Sequence, residues 1–124
     1  MTPRDAVLAY VEAYNGPTSD IYPCYAAEVS WTESPFGRNG GREVLFAACR
    51  EAREKIRDCH LDIVSIHVGE DSAVLESVWS GFDRATGAAL QRTPVIWVFT
   101  FDRDGRIVTQ RDYSVVMGAM PGEH

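Results

Sequence analysis

The sequence is short of cysteine, of basic residues and of long apolar runs, and each shortage excludes a class of protein. The three cysteines, Cys24, Cys49 and Cys59, are odd in number and form no Cys-x-x-Cys pair. That argues against a disulfide framework and against a cysteine-based zinc site. They read as small apolar fillers, kept reduced in a cytoplasmic setting. Lysine and arginine total 12 against 18 acidic residues, a formal net charge of -6. Nucleic acid and anionic membrane surfaces are therefore not expected partners, since both select basic surfaces. Nothing approaches the ~18 apolar residues of a membrane span. The opening "MTPRDAVLAY" has no apolar run after its arginine, so it does not read as a signal peptide. His60 and His67 are too far apart for an HxxxH or HxH pair, and His124 stands alone, so no metal site is expected. No GxSxG, P-loop or dinucleotide fingerprint occurs, and no cofactor is expected.

What is present is ordinary for a globular protein. The 124 residues, 45% hydrophobic and 24% charged, suit one domain over residues 1–124 with a core of its own. Thr2, Pro3 and Asp5 form a helix start of capping-box type. Val7, Leu8, Val11 and Tyr14 repeat at helical spacing until "NGP" at 15–17 stops the helix. A short second helix is predicted over Asp20–Ala27, and Val29 and Trp31 predict a short strand, followed by a Pro/Gly loop. "GREVLFAACREAREKIRD" reads as a long helix whose apolar face is Val44, Leu45, Ala48, Cys49, Ala52 and Ile56, with Arg38, Arg42, Arg50, Arg53 and Arg57 as a solvated stripe around it. Four β-type runs follow, "LDIVSIHV", "SAVLESVWSGF", "TPVIWVFTF" and "GRIVTQRDYSVV", separated by "GEDS", "DRATG" and "DRDG". Helices first and strands after predict an α+β domain with a four-strand antiparallel meander. A strongly curved sheet would enclose a small-ligand pocket with the helices. Ile96 and Val98 make "PVIWVFTF" apolar on both faces. The outer face is thus expected to pack on a second subunit, giving a homodimer, or under a returning C-terminal segment.

The order of elements, with "YVEAYN" at 10–15, "YAAEVSWTESPFGRNGGREVL" at 25–45 and "DGRIVTQRDY" at 104–113, resembles the nuclear transport factor 2-like superfamily. Within it the chain is most similar to the SnoaL-like group, which includes polyketide cyclases. Ketosteroid isomerases and limonene-epoxide hydrolases belong to the same superfamily. The resemblance spans roughly residues 3–117. It implies a cone, a curved antiparallel sheet wrapped around a helix-capped cavity (a cystatin-like α+β roll), commonly as a homodimer. The fold carries many chemistries, so each catalytic pattern needs its own residues. Against the isomerases, Tyr10 falls on the catalytic tyrosine, Ser34 on the base with Glu33 beside it, and Trp97 on the oxyanion aspartate. Against the epoxide hydrolases, "QRDYS" matches around Asp112. Trp79 and Gly81 fall on the Arg-x-Asp pair there, and a shift of two residues would bring in Asp83. Against the cyclases, Asp112 falls on the acid/base aspartate and Gln110 on its histidine. Glutamine orients a carbonyl but carries no proton near neutral pH.

Alternation leaves two faces for the last strand: Val108, Gln110, Asp112 and Ser114, or Ile107, Thr109, Arg111, Tyr113 and Val115. Periodicity alone buries the second set; the resemblance turns Asp112 inward with Gln110 and Ser114. A carboxylate buried near Trp97, Trp79 and Phe99 would have a raised pKa and act as base or acid. The competing reading is a rim aspartate paired with an arginine. Glu33 shares a strand face with Trp31 and reads as a second acid or as a solvated loop acid. Tyr10 and Tyr14, one helical turn apart, read as hydroxyls reaching the pocket or as core aromatics with a wet tip. Trp31, Trp79, Trp97 and Phe99 would shape the walls. The function expected is binding of a small apolar, ring-bearing molecule. Cofactor-free isomerisation, cyclisation or hydrolysis would use Asp112 as proton carrier, with Glu33 and Tyr10 assisting. The alternative is a ligand-binding or purely structural dimeric domain without turnover.

Overall fold

A computed structural model describes residues 1–114. Helix α1, Pro3–Tyr14, begins as its sequence demands: the Thr2 hydroxyl accepts from the Asp5 N–H, and Pro3 occupies the first turn. Asn15 ends it. The Asn15 side chain then takes the Leu61 N–H at 2.7 Å and donates to the Leu61 carbonyl at 3.1 Å. A 3-10 helix, Thr18–Cys24, follows. Strand β1 spans Tyr25–Ser34, β2 spans Arg38–Gly40, and helix α2 spans Arg42–Lys55. The remaining strands are β3, Ile56–Val68; β4, Ser72–Asp83; β5, Thr93–Phe101; and β6, Ile107–Ser114.

The fold is α+β, with a six-stranded curved, unclosed sheet ordered β2-β1-β6-β5-β4-β3. The predicted meander is β3 to β6, and its turns fall on the predicted turn sequences: Gly87 and Gly105 take φ +74° and +78°, conformations that favour glycine. Two elements extend it. β1 pairs parallel to β6, and β2 pairs antiparallel to β1. The concave face holds the core, in which Tyr10, Ile21, Leu61, Leu75, Phe99 and Ile107 are all at most 2% exposed. Helix α1 lies over β3 and β4, and α2 over β1 and β3.

Three expectations are corrected. The helix predicted over Asp20–Ala27 is a single 3-10 segment ending at Cys24. Pro23 has no N–H to continue an α-helix, and Tyr25 is already extended. The strand at Val29 and Trp31 accordingly runs from Tyr25 to Ser34, because the open edge of β6 supplies its hydrogen bonds. The long helix stops at Lys55. Ile56 opens β3 instead of closing the helical face, and Val44 is 47% exposed. Pairing with β4 captures Ile56 and Arg57, and Asp58 bulges just beyond them at φ 56°.

On the last strand Gln110, Asp112 and Ser114 face inward, and the alternation breaks only at Val108. Phe101 pairs with Ile107 but Thr100 pairs with Thr109, so Val108 is a bulge. The bulge lets Ile107 face the core together with Gln110, Asp112 and Ser114, opposite Phe99, Trp97 and Val95. Val115 lies outside the described residues.

Asn15→Ala should remove both bonds to Leu61 and uncover the β3 edge. With each bond worth about 1 kcal/mol, urea denaturation should show a loss of about 1–2 kcal/mol with an unchanged m-value.

Candidate active site

The parallel register sets Trp31 beside Gln110 and Glu33 beside Asp112. All four side chains therefore stand on the concave face in a two-by-two block. Trp31 Nε1 donates to Asp112 Oδ2 at 2.9 Å, and Gln110 Nε2 donates to Asp112 Oδ1 at 2.8 Å. The other end of the Gln110 amide is equally engaged: the Tyr25 hydroxyl donates to Oε1 at 2.8 Å. Tyr25 and Tyr10 oxygens are 2.9 Å apart. Tyr25 has one proton, already given to an oxygen that can only accept, so Tyr10 donates to Tyr25. A chain of four hydrogen bonds thus runs from α1 and β1 to both oxygens of one carboxylate.

Asp112 sits where two chambers meet. The inner one, about 100 Å³, lies between the Tyr10–Tyr25–Trp31 wall and Cys49 of α2; the outer one, about 390 Å³, is walled by Phe36, Ile56, Trp79 and Val95. Tyr14, Glu33, Trp97 and Asp112 line both, and Ser114 lines the outer. Burial pushes the Asp112 carboxyl up from its ordinary 3.8 to about 7, against the pull of the Trp31 and Gln110 donors; the Glu33 charge adds to the rise and Arg38 opposes it. A carboxyl that titrates near neutrality takes and returns protons at similar cost.

The other predicted residues take distinct places. Glu33 is at the rim, where Arg38 Nε donates to its Oε1 at 2.8 Å and the Arg38 guanidinium covers the Trp31 ring at 5.5 Å. Tyr10 is buried, with its proton spent on Tyr25. Tyr14 accepts from Trp79 Nε1 at 3.0 Å. Trp97 stands edge-on to both tyrosines. Phe99 packs against Tyr10 and Phe101 in the core and lines neither chamber. Asp83 does not enter either: its carboxylate accepts from the Ala85 N–H in the turn after β4, in a surface hollow with Lys55 and Leu90. The two-residue shift that would recruit it is therefore not realised.

A match to the model of the SnoaL-like domain covers residues 7–110. The chain belongs to the SnoaL-like domain family. No curated protein matches it. Among solved structures it is similar to a hypothetical protein with a ketosteroid isomerase-like fold from Catenulispora acidiphila in complex with trimethylamine (21% identity, 91% of this chain and 86% of that one, TM-score 0.77). It is also similar to an NTF2-like protein from Burkholderia thailandensis (21% identity, 93% and 92%, TM-score 0.78). A third similar structure is an LEH-like epoxide hydrolase of Mycobacterium tuberculosis (19% identity, 91% and 82%, TM-score 0.75). At these identities the structures establish the fold of this SnoaL-like domain and leave its chemistry to its own residues.

The sequence carries no signal for Tyr25; the solvated reading of Arg38 and Arg53 is corrected, since both border the inner chamber, and Cys49 lines it as an apolar filler. Tyr25 lies inside the helix expected over 20–27, and Arg38 within the expected solvated stripe. Cys49 lies in the inner chamber, and burial, then the Asp112 charge, push its thiol up to about 11. It is therefore a wall and not a nucleophile. Arg53 donates to the Tyr14 and Gly16 carbonyls, closing the end of α1, and stacks on the Tyr14 ring at 4.8 Å.

The raised Asp112 pKa has a stability consequence. Between about pH 4 and 7 the folded state binds more protons than the unfolded state, so stability falls as pH rises through that window and is level above it. Asp112→Asn has no such charge. From pH 4 to pH 8 the difference in unfolding free energy between mutant and wild type should move in the mutant's favour by a few kcal/mol, at about 1.4 per pKa unit. Parallel curves in urea titrations would contradict this. Gln110→Leu removes a donor to the carboxylate and should raise the Asp112 pKa above about 7, as followed by carboxyl ¹³C NMR.

Proposed function

We propose that this SnoaL-like domain is a cofactor-free acid/base enzyme acting on a small, apolar, ring-bearing molecule. One observation carries the reading: a single carboxylate, doubly hydrogen-bonded and pushed up to about 7, at the junction of two chambers with aromatic walls. The body of the substrate occupies the outer chamber against Trp79, Trp97 and Phe36, and the reacting carbon or oxygen lies against Asp112. Ionised Asp112 removes a proton from the substrate and returns it at a second position, giving isomerisation or ring closure; on water, the same step gives hydrolysis. Gln110 and Trp31 hold the carboxylate in place. Tyr10 holds Tyr25, and Glu33 holds Arg38 over Trp31, which makes both supporting residues. Phe99 supports Tyr10 from behind.

A second reading, ligand binding without turnover, is favoured by one fact. The two donors on Asp112 are an amide and an indole, and neither exchanges protons near neutral pH. Asp112→Asn separates the readings. In an enzyme it should lower kcat on the active member of an enone, lactone and epoxide panel by at least about 100-fold, with ligand still bound. In the wild type kcat/KM should rise with pH and level off above about 7, when Asp112 acts as base. Equal turnover by mutant and wild type would remove the mechanism.

We also read the domain as a cytoplasmic homodimer joined through the outer sheet face. There Ile96 is 45% and Tyr113 43% exposed, in register with each other and beside Val98 and Val74. The three cysteines are free, which suits a reducing compartment. Ile96→Asp should convert the dimer to monomer in analytical ultracentrifugation; an unchanged sedimentation coefficient would refute this interface.

A further inference from the structure

An amide side chain has two ends of similar size and opposite hydrogen-bonding sense, so its partners decide which way it points. Gln110 is 2% exposed and has a partner at each end: the Tyr25 hydroxyl donates to Oε1 at 2.8 Å, and Nε2 donates to Asp112 Oδ1 at 2.8 Å. Turning the amide over would set Nε2, a donor, against the Tyr25 oxygen. Tyr25 would then have to give its proton to Tyr10, whose oxygen is 2.9 Å away. Tyr10 is also 2% exposed, and among the described residues no other acceptor takes its proton. The turned chain would therefore end on a buried hydroxyl with no acceptor, which is unfavourable. The native chain runs one way, from Tyr10 to Tyr25 to Gln110 to Asp112.

That direction governs the acid form of Asp112. Trp31 Nε1 points its hydrogen at Oδ2 and cannot accept one. Gln110 Nε2 does the same at Oδ1 as long as the amide is held. A proton arriving on Asp112 finds both of those positions taken. It occupies a lone pair that opens on the chambers, both of which Asp112 lines. With the amide free to turn, Gln110 Oε1 would accept the proton of the acid, and this internal bond would compete with the substrate for it.

The geometry points to Tyr25 as a positioning residue: it locks the sense of the Gln110 amide and so keeps the acid proton of Asp112 on the side of the substrate. This assignment rests on the acid/base reading of the cleft and adds to it the direction in which the proton is held. Tyr10 reinforces the lock without being required for it. In Tyr10→Phe a turned amide would leave the Tyr25 proton itself without an acceptor. The other titratable groups bordering the inner chamber are Tyr14 on α1, Glu33 on β1, Arg38 on β2, and Cys49 and Arg53 on α2. Among the described residues none of them bonds the Gln110 side chain, whose partners are Tyr25 and Asp112.

The test is NMR of the intact chain with glutamine-selective ¹⁵N labelling. The sequence has two glutamines, and the other, Gln91, is exposed, so the Gln110 amide is resolved. In the wild type the Nε2 proton bonded to Asp112 should stay downfield of the Gln91 pair as Asp112 titrates through about 7. In Tyr25→Phe that resonance should lose its downfield position as Asp112 is protonated. The Asp112 carboxyl of Tyr25→Phe, followed by ¹³C NMR, should also titrate at a higher pH than in the wild type, because the turned amide stabilises the acid. Tyr10→Phe should behave as the wild type. A wild-type resonance that moves to the Gln91 position when Asp112 takes its proton overturns the assignment, whether or not Tyr25→Phe folds. So does a folded Tyr25→Phe protein that titrates as the wild type in both signals. Failure of the acid/base reading is seen separately: full turnover by Asp112→Asn removes the proton carrier, and the wild-type amide signal still decides whether the lock exists.

Discussion

Trp31 lies beside Gln110, and Glu33 beside Asp112, because β1 runs parallel to β6 in one particular register. The bonds of Trp31 to Asp112 and of Tyr25 to Gln110 follow from that ladder. Slipping it by one residue would turn Trp31 and Glu33 to the convex face and strip Asp112 of its indole donor. The bulge at Val108 acts with it. Without the extra residue, Ile107 and Gln110 could not both face inward, and the choice would be between an apolar core and a polar site.

The cleft carries an electrostatic cost. Burying a carboxylate is unfavourable, and two donors recover only part of the loss, which is why the Asp112 carboxyl titrates near neutrality instead of near 4. Stronger pairing would keep it ionised and make it a poor proton acceptor. The arginines stop short of such pairing. Arg38 is engaged by Glu33, and Arg53 by the carbonyls at the end of α1. Both cations border the inner chamber, yet the side-chain bonds to Asp112 come from neutral groups. The thiol of Cys49 adds a wall without adding a competing charge.

Much of the fold is legible in the sequence because its signals are local. The Thr2 cap, the stop at Asn15, the β-type runs from Leu61 onward and their glycine turns each depend on a few neighbouring residues. The misread stretches, 20–27 and 56–58, are those where distant pairing overrides local preference: β6 draws Tyr25 into a strand, and β4 does the same to Ile56. At the site, Gln110, Asp112, Trp31 and Tyr14 were recognisable as residues suited to a pocket. Tyr25 was not, since its role exists only through Gln110, which lies 85 positions away.

By itself, then, the sequence determined the class of the protein. Its helix and strand signals, its single well-filled core and the pattern around "QRDYS" specify an α+β cone with a polar patch on the last strand, because periodicity and capping act over a few residues. Tertiary structure alone decided how that patch is arranged. The face of Asp112 and the commitment of the Tyr10 proton, through Tyr25 and Gln110, depend on one bulge and one parallel register, and the turn after β4 keeps Asp83 away. A bulge or a register is set by the energy of the whole sheet, which no local stretch of sequence encodes.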